Sequence, residues 1–167
     1  MPLGASHALA GEVPLVGRER ARSLLERWLA PSLAGDPHIV VVTGPAGAGK
    51  TRLIDWLGER ASAAGAVVHS GACLAGATVS HLPFRTALTE VRAGDGTPVV
   101  DLFDPPDPDG PDDRQVAAGF SSNALIAVAD AIVEAARSTP RLLVIDDLQW
   151  ADPPTLALIS QLATLLG

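Results

Sequence analysis

The chain combines two kinds of hydrophobic pattern. Over residues 19–29, apolar side chains recur at helical spacing and predict an amphipathic first helix that ends before Pro31. Its apolar side carries Leu24, Leu25, Trp28 and Leu29. Residues 39–43 instead form a continuous run rich in β-branched side chains, which is typical of a strand buried on both faces. Residues 66–70 and 142–145 predict two further strands.

Predicted helices alternate with these strands. They cover residues 50–64, residues 114–137 with a bend near Gly119, and residues 153–166. A further helix is predicted to begin at Pro83 and to bury Phe84, Ala87, Leu88 and Val91. Asp152 is expected to cap the last helix, because a carboxylate can accept hydrogen bonds from the N–H groups at a helix start. Since strands that alternate with helices form parallel sheets covered on both faces, the sequence predicts a three-layer α/β/α fold.

Composition and charge narrow the classes of partner. Of the 167 residues, 47% are apolar and 19% charged, which is the composition of a folded domain, and the net charge is −7. Residues 101–113 hold six aspartates and no basic residue, whereas 12 basic and 13 acidic residues lie outside them. We therefore expect 101–113 to be a solvated acidic loop and this segment to make no direct contact with nucleic acid.

The lack of a recognisable targeting signal and the single cysteine favour a cytoplasmic protein. No apolar run reaches the ~18 residues that a membrane-spanning helix needs. Residues 1–13 lack the basic start and the apolar centre of a signal peptide. They are predicted to be a flexible leader. Cys73 is the only cysteine, which excludes a disulfide framework and a cysteine-based zinc site, and we expect its thiol to be buried. Trp150 is expected to pack in the core.

The strongest chemical signal lies between the first predicted strand and the helix after it. It consists of Gly44, Pro45, Ala46, Gly47, Ala48, Gly49, Lys50 and Thr51. The spacing fits the phosphate-loop pattern, in which glycines let successive N–H groups converge on phosphate oxygens at the positive end of a helix. Lys50, the only lysine, is predicted to reach the β- and γ-phosphates of a nucleotide and to serve catalysis. Thr51 is predicted to bind Mg²⁺.

Two consecutive acids follow the predicted strand 142–145. Ligands of open α/β sheets bind at the carboxyl ends of the strands, which is where Asp146 and Asp147 are expected to lie. Asp146 is predicted to hold Mg²⁺. Asp147 is predicted to be the catalytic acid that orients or deprotonates the attacking water.

Three strings together resemble the STAND class of regulatory ATPases. They are Val16-Gly17-Arg18-Glu19, the phosphate loop, and Asp146-Asp147-Leu148-Gln149-Trp150-Ala151-Asp152. The nearest likeness is to the nucleotide-binding module of large ATP-binding LuxR-type transcriptional regulators, over residues 14–166. The resemblance implies a P-loop ATPase domain at 14–167 that binds ATP with Mg²⁺ and uses slow hydrolysis as a switch. It also implies that Val16, Gly17 and Arg18 lie over the adenine.

The chain departs from that family after its last predicted helix. Family members continue with a strand that carries a polar sensor residue, and in related sheets this strand lies between the phosphate-loop strand and the acidic strand. We therefore expect the sheet to be incomplete at its C-terminus, with strands 39–43 and 142–145 either pairing directly or leaving a gap. Hydrolysis by this chain alone is expected to be negligible.

Further domains of the same polypeptide are the expected partners, and a nucleotide-dependent oligomer is left open.

Two alternatives to the regulatory ATPase function also stay open. One is an AAA-type initiator or remodelling ATPase that couples hydrolysis to work on DNA or protein. The other is a nucleotide-binding fragment without catalysis.

Overall fold

A computed structural model describes residues 18–104 and 122–167 of the chain. The predicted leader 1–13, the residues Val16 and Gly17, and residues 105–121 lie outside this described part. The expectations for them, including most of the acidic loop and the bend near Gly119, are therefore not tested.

The described residues form helices and two parallel strands. In chain order they are α1 (Glu19–Leu33), α2 (Lys50–Ala63), β1 (Val67–Ala72), α3 (Leu82–Ala87), α4 (Ser122–Ser138), β2 (Arg141–Asp146) and α5 (Pro153–Leu166). Short 3-10 helices cover Val99–Phe103 and Leu148–Trp150. None of the described helices combines the length and the apolarity that crossing a membrane requires.

The strands β1 and β2 pair in parallel, as the sequence predicts. Their register runs from Val67 opposite Arg141 to Ala72 opposite Asp146. One hydrogen bond extends the ladder at its carboxyl end, where the N–H of Cys73 donates to the carbonyl oxygen of Asp146 at 3.0 Å. Both strands therefore end at the same edge of the sheet.

Each face of this sheet is covered by different helices. Leu142 of β2 packs against a small core formed by Leu25 of α1 with Leu53 and Leu57 of α2. The next residue, Leu143, packs on the opposite face into the main core. That core is built from α3, α4, α5 and the 3-10 helix Val99–Phe103. Because successive side chains of a strand point to opposite faces, one strand serves both cores, and the three-layer α/β/α fold is confirmed.

The predicted strand at 39–43 does not form. Ile39, Val40 and Val41 are 45%, 46% and 65% exposed, and among the described residues no strand pairs with this segment. Val42 alone packs against the small core. The prediction of a buried strand is wrong because β-branched side chains favour a strand only where a neighbour completes the hydrogen-bond ladder. Of the two outcomes expected for 39–43 and β2, the described structure shows no direct pairing.

The first helix is longer and less buried than its pattern predicts. It continues through Pro31 to Leu33, since a proline two residues from the end removes only one backbone donor from the last turn. Leu25 is buried, whereas Leu24 and Trp28 stay exposed. The apolar face of α1 is thus wider than the area that packs against α2.

The helix expected after Pro83 is short, but its packing is confirmed. Leu82–Ala87 is helical, and all four predicted side chains are buried in the main core: Phe84, Ala87, Leu88 and Val91. Gly71 of β1 allows α3 to approach closely, because a Cβ atom there would lie 1.9 Å from the carbonyl oxygen of Pro83.

Two expectations about exposure need correction, and one is confirmed. The predicted acidic loop begins with a 3-10 helix whose Phe103 is buried, since an aromatic ring among aspartates still gains from leaving water. Trp150 is 54% exposed and is not a core residue. Cys73 is buried, as expected.

Candidate functional site

The phosphate loop links residues 39–43 to the start of α2. Gly47 and Gly49 have φ angles of 72° and 77°, in the left-handed region that a side chain disfavours. Gly49 is also the N-cap residue of α2. The first N–H groups of a helix have no acceptor within that helix, so this loop and helix start can present donors to an anion.

Lys50 is folded over the loop that precedes it. Its Nζ atom donates to the carbonyl oxygens of Gly44 at 2.9 Å and Pro45 at 3.1 Å. These bonds satisfy two loop carbonyls and hold the ammonium above the turn. An ammonium has three donors on a flexible stem, so it can exchange these carbonyls for phosphate oxygens.

Thr51 and Asp146 meet although 95 positions separate them in the sequence. The Oγ1 atom of Thr51 donates to Oδ2 of Asp146 across 3.4 Å. Thr51 lies in the first turn of α2, and Asp146 is the last residue of β2. The fold thus brings the two predicted magnesium ligands together at the carboxyl edge of the sheet.

Asp147 adopts an unusual backbone conformation. Its φ is 56°, in the left-handed region that aspartate tolerates better than most residues. Its N–H donates to Oδ1 of Asp146 at 2.8 Å, and its carbonyl oxygen accepts the N–H of Trp150 at 2.9 Å. The change of conformation ends β2 and turns the second acid away from the strand direction.

Gln149 contacts the second acid through its side chain. The Nε2 atom of Gln149 donates to Oδ1 of Asp147 at 2.8 Å. In the sequence, Gln149 stands only within the longer string from Asp146 to Asp152, which assigns it no role. Its position two residues after Asp147 was the available signal, but the contact depends on the 3-10 turn between them.

Asp152 connects two helices at the edge of this site. It caps α5 as predicted, accepting the N–H of Thr155 on Oδ1 at 3.0 Å. Its Oδ2 accepts the N–H of His81, the N-cap residue of α3, at 3.1 Å. Burial acts to raise the pKa of Asp152, but the hydrogen bonds from Thr155 and His81 outweigh it and hold this pKa below its ordinary value. The contact with His81 is not evident from sequence spacing.

A cavity of about 200 Å³ lies beside the acidic turn, with Cys73, Pro83, Trp150 and Asp152 among its lining residues. Burial, and then the charges of Asp152, Asp147 and Asp146, raise the pKa of the Cys73 thiol. The thiol is therefore protonated at neutral pH and is not an activated nucleophile.

The donor set at this edge suits Mg²⁺. A hydroxyl and a carboxylate are hard oxygen ligands, and Mg²⁺ is commonly held by one or two such groups together with phosphate oxygens and water. Within 18–104 and 122–167, no three His, Cys, Asp or Glu side chains gather into a metal-binding group.

Arg18 is the one described member of the predicted adenine segment. It precedes α1, and its carbonyl oxygen accepts the N–H of Arg22 at 2.9 Å. The placement of an adenine against residues 16–18 stays a prediction.

Comparison with known proteins gives one match. A sequence model of the AAA ATPase domain matches residues 14–167, which is nearly the whole chain. No curated protein and no solved structure matches it.

Proposed function

The chain belongs to the AAA ATPase domain family, and we propose that it binds ATP with Mg²⁺ at the carboxyl edge of the sheet and that the full polypeptide uses slow hydrolysis as a regulatory switch. The observation that carries the proposal is the 3.4 Å separation of Thr51 Oγ1 and Asp146 Oδ2. A hydroxyl on the phosphate-loop helix and a carboxylate at a strand end, so close together, can share one hard cation.

The loop supplies the contacts for the phosphates in this proposal. Gly47 and Gly49 hold left-handed conformations, and turns built on such residues can gather backbone N–H groups around an anion. Lys50 leaves the carbonyl oxygens of Gly44 and Pro45 and donates to β- and γ-phosphate oxygens. The exchange replaces neutral acceptors by charged ones, which form stronger hydrogen bonds with an ammonium.

Asp147 acts on water in the proposed hydrolysis. Its carboxylate accepts a proton from the water whose oxygen attacks the γ-phosphorus, and the bond from that phosphorus to the β,γ-bridging oxygen breaks to release ADP and phosphate. The Lys50 ammonium stabilises the charge that develops on the leaving oxygen. Mg²⁺, when bound, adds positive charge at the same phosphates, and Thr51 and Asp146 would hold it.

The switch role is supported by the residues of the acidic turn and by Lys50. The string from Asp146 to Asp152 resembles that of STAND regulatory ATPases and of LuxR-type transcriptional regulators. In this proposal Lys50 donates to the γ-phosphate when ATP is bound and to the loop carbonyls when the γ-phosphate is absent. Its contacts therefore differ between the state with ATP and the state after hydrolysis. A cytoplasmic location, expected from the single cysteine, belongs to the same proposal.

Calorimetry with ATP and Mg²⁺ tests the proposal. We expect Lys50→Ala to weaken binding by about 10- to 100-fold, the effect of losing hydrogen bonds from a charged donor worth about 1.5–3 kcal/mol. Lys50→Arg should fail as well, because the planar guanidinium is bulkier than an ammonium. Arg27→Ala removes an exposed cation from α1 and is the control. Unchanged affinity in Lys50→Ala would refute ATP binding at this loop.

A further inference from the structure

The two acids of the turn are held by different partners. Asp146 accepts hydrogen bonds on both carboxylate oxygens, from Thr51 Oγ1 and from the N–H of Asp147. Asp147 accepts one on Oδ1, from the Gln149 side chain. Among the described residues, Gln149 provides the one side-chain hydrogen bond to Asp147. The orientation of the second carboxylate therefore depends on a residue outside the pair of acids.

The backbone keeps this contact short. The carbonyl oxygen of Asp147 accepts the N–H of Trp150 and closes the 3-10 turn. Gln149, two residues after the acid, lies within this turn. The left-handed φ of Asp147 directs its carboxylate to the same side as the Gln149 amide. Asp147 and Gln149 are both exposed, so packing does not fix either side chain. The hydrogen bond is what restricts rotation of the carboxylate.

We propose that Gln149 is the positioning residue for Asp147 in ATP hydrolysis. The inference rests on the proposed function and extends it to a residue with no role so far. The amide occupies Oδ1 and leaves Oδ2 directed to accept the proton of the attacking water. A carboxylate that rotates freely in solvent spends little time in a productive orientation, and its proton transfer is correspondingly slower.

This role predicts an effect on turnover but not on binding. ATP is contacted by the phosphate loop, Lys50 and Thr51, none of which bonds to Gln149. Loss of the amide donor should therefore lower kcat and leave the Kd for ATP unchanged. A residue that merely supported the fold would change the affinity, or the stability, together with the rate.

Four variants of the full polypeptide test the catalytic part. Gln149→Ala removes the donor, and Gln149→Glu replaces it by a carboxylate of the same shape. We expect kcat to fall by about tenfold or more in both, with Kd for ATP·Mg within about twofold of the parent. Gln149→His places an imidazole N–H the same number of bonds from Cα and should restore kcat to within about threefold. Gln161→Ala, on α5, is the control.

A second measurement tests the contact without relying on turnover. The side-chain amide resonances of Gln149, identified by their loss in Gln149→Ala, should shift in Asp147→Gly. That substitution removes the carboxylate and still tolerates the left-handed φ. Asp130→Gly, on the exposed side of α4, should leave them in place. Unshifted resonances in Asp147→Gly would overturn the proposal.

The outcomes separate this proposal from the proposed function. If Gln149→Ala hydrolysed ATP at the parental rate, only the role of Gln149 would be overturned, and the proposed function would stand. A fall in ATP affinity equal to the fall in kcat would overturn it too. A parent protein that binds no ATP would instead refute the proposed function, whatever the amide resonances of Gln149 report.

Discussion

The guanidinium of Arg141 donates a hydrogen bond to Nε2 of His69 at 2.8 Å, across the paired strands β2 and β1. Because an arginine only donates, Nε2 must accept, and the ring proton lies on Nδ1. Nδ1 in turn donates to the carbonyl oxygen of Ala87 at 3.1 Å, where α3 ends. A neutral imidazole thus joins both strands to α3, and a proton on Nε2 would break its bond with Arg141.

This arrangement predicts a loss of stability in acid. Burial, and then the charge of Arg141, lower the pKa of His69 below 6.5, while the bond to Ala87 and the charge of Glu90 act against the shift. The folded state therefore binds this proton less readily than the unfolded chain. The contribution of His69 to the free energy of unfolding is complete above pH 6.5 and is lost as the pH falls through the folded pKa.

Urea unfolding at about pH 7.5 and about pH 5.5 checks this prediction, since the first pH lies above the ordinary histidine pKa and the second lies below it. We expect a lower unfolding free energy at the lower pH and a smaller difference in His69→Gln. His81 is also buried with a lowered pKa, so part of the difference should remain. A full pH dependence in His69→Gln would contradict the assignment.

Two glycines should respond oppositely to alanine. A Cβ at Gly71 would lie 1.9 Å from the carbonyl oxygen of Pro83, so Gly71→Ala must push α3 off the sheet at a cost of about 1–3 kcal/mol or more. At Gly58, inside α2, a Cβ would lie 3.7 Å from Cγ1 of Val68. Gly58→Ala should therefore stabilise the helix by about 1 kcal/mol. Chemical denaturation measures both, and equal effects would argue against the close approach of α3.

The two acids should separate binding from catalysis. In a hydrolysis-competent full polypeptide, Asp147→Asn is expected to keep ATP binding and to lower the rate of hydrolysis by about 100-fold or more, the usual contribution of a general base. Asp146→Asn should instead weaken Mg²⁺-dependent binding, by about tenfold or more, because it removes a charged ligand of the metal. Asp130→Asn on α4 is the control. Parental turnover by Asp147→Asn would show that the second acid is merely solvated.

Asp152 should stabilise two helices at once. Asp152→Ala removes the acceptor for Thr155 at the start of α5 and for His81 at the start of α3, and we expect it to lower the unfolding free energy by about 2–3 kcal/mol. Asp152→Asn keeps one oxygen acceptor and should cost about half as much. Asp130→Ala should cost little, because Asp130 is exposed on α4. If Asp152→Asn matched the parent, the contact with His81 would contribute nothing to stability.

The unpaired apolar segment 39–43 should promote self-association. Val41 is 65% exposed in an apolar segment that no described strand pairs with, and unpaired apolar segments can recruit strands of other molecules. We expect Val41→Lys to reduce concentration-dependent light scattering, because a lysine charge opposes strand pairing between molecules. Leu24→Lys places the same charge on an exposed position of α1 and should change scattering less. Equal reductions would indicate a general effect of charge.

Local sequence was sufficient wherever neighbouring residues decide the structure. The phosphate loop, the helix after it and the cap at Asp152 follow from glycine freedom, hydrogen-bond acceptors and spacing within a few positions. The sequence predicts strands at 66–70 and 142–145, which the structure extends to Ala72 and Asp146, and their parallel pairing follows from the alternation of helices and strands. The prediction at 39–43 failed because a strand needs a partner, which its own composition cannot supply.

The sequence by itself determined which residue types could carry the chemistry: Lys50 and Thr51 after the glycines, and Asp146 with Asp147 after an apolar run. Only the tertiary structure decided that Thr51 and Asp146 lie 3.4 Å apart, since the distance depends on how α2 packs against β2. It also decided that Asp152 accepts the N–H of His81, which lies 71 positions earlier in the chain. Contacts across many positions depend on packing that no local pattern encodes, because each results from the whole arrangement of layers.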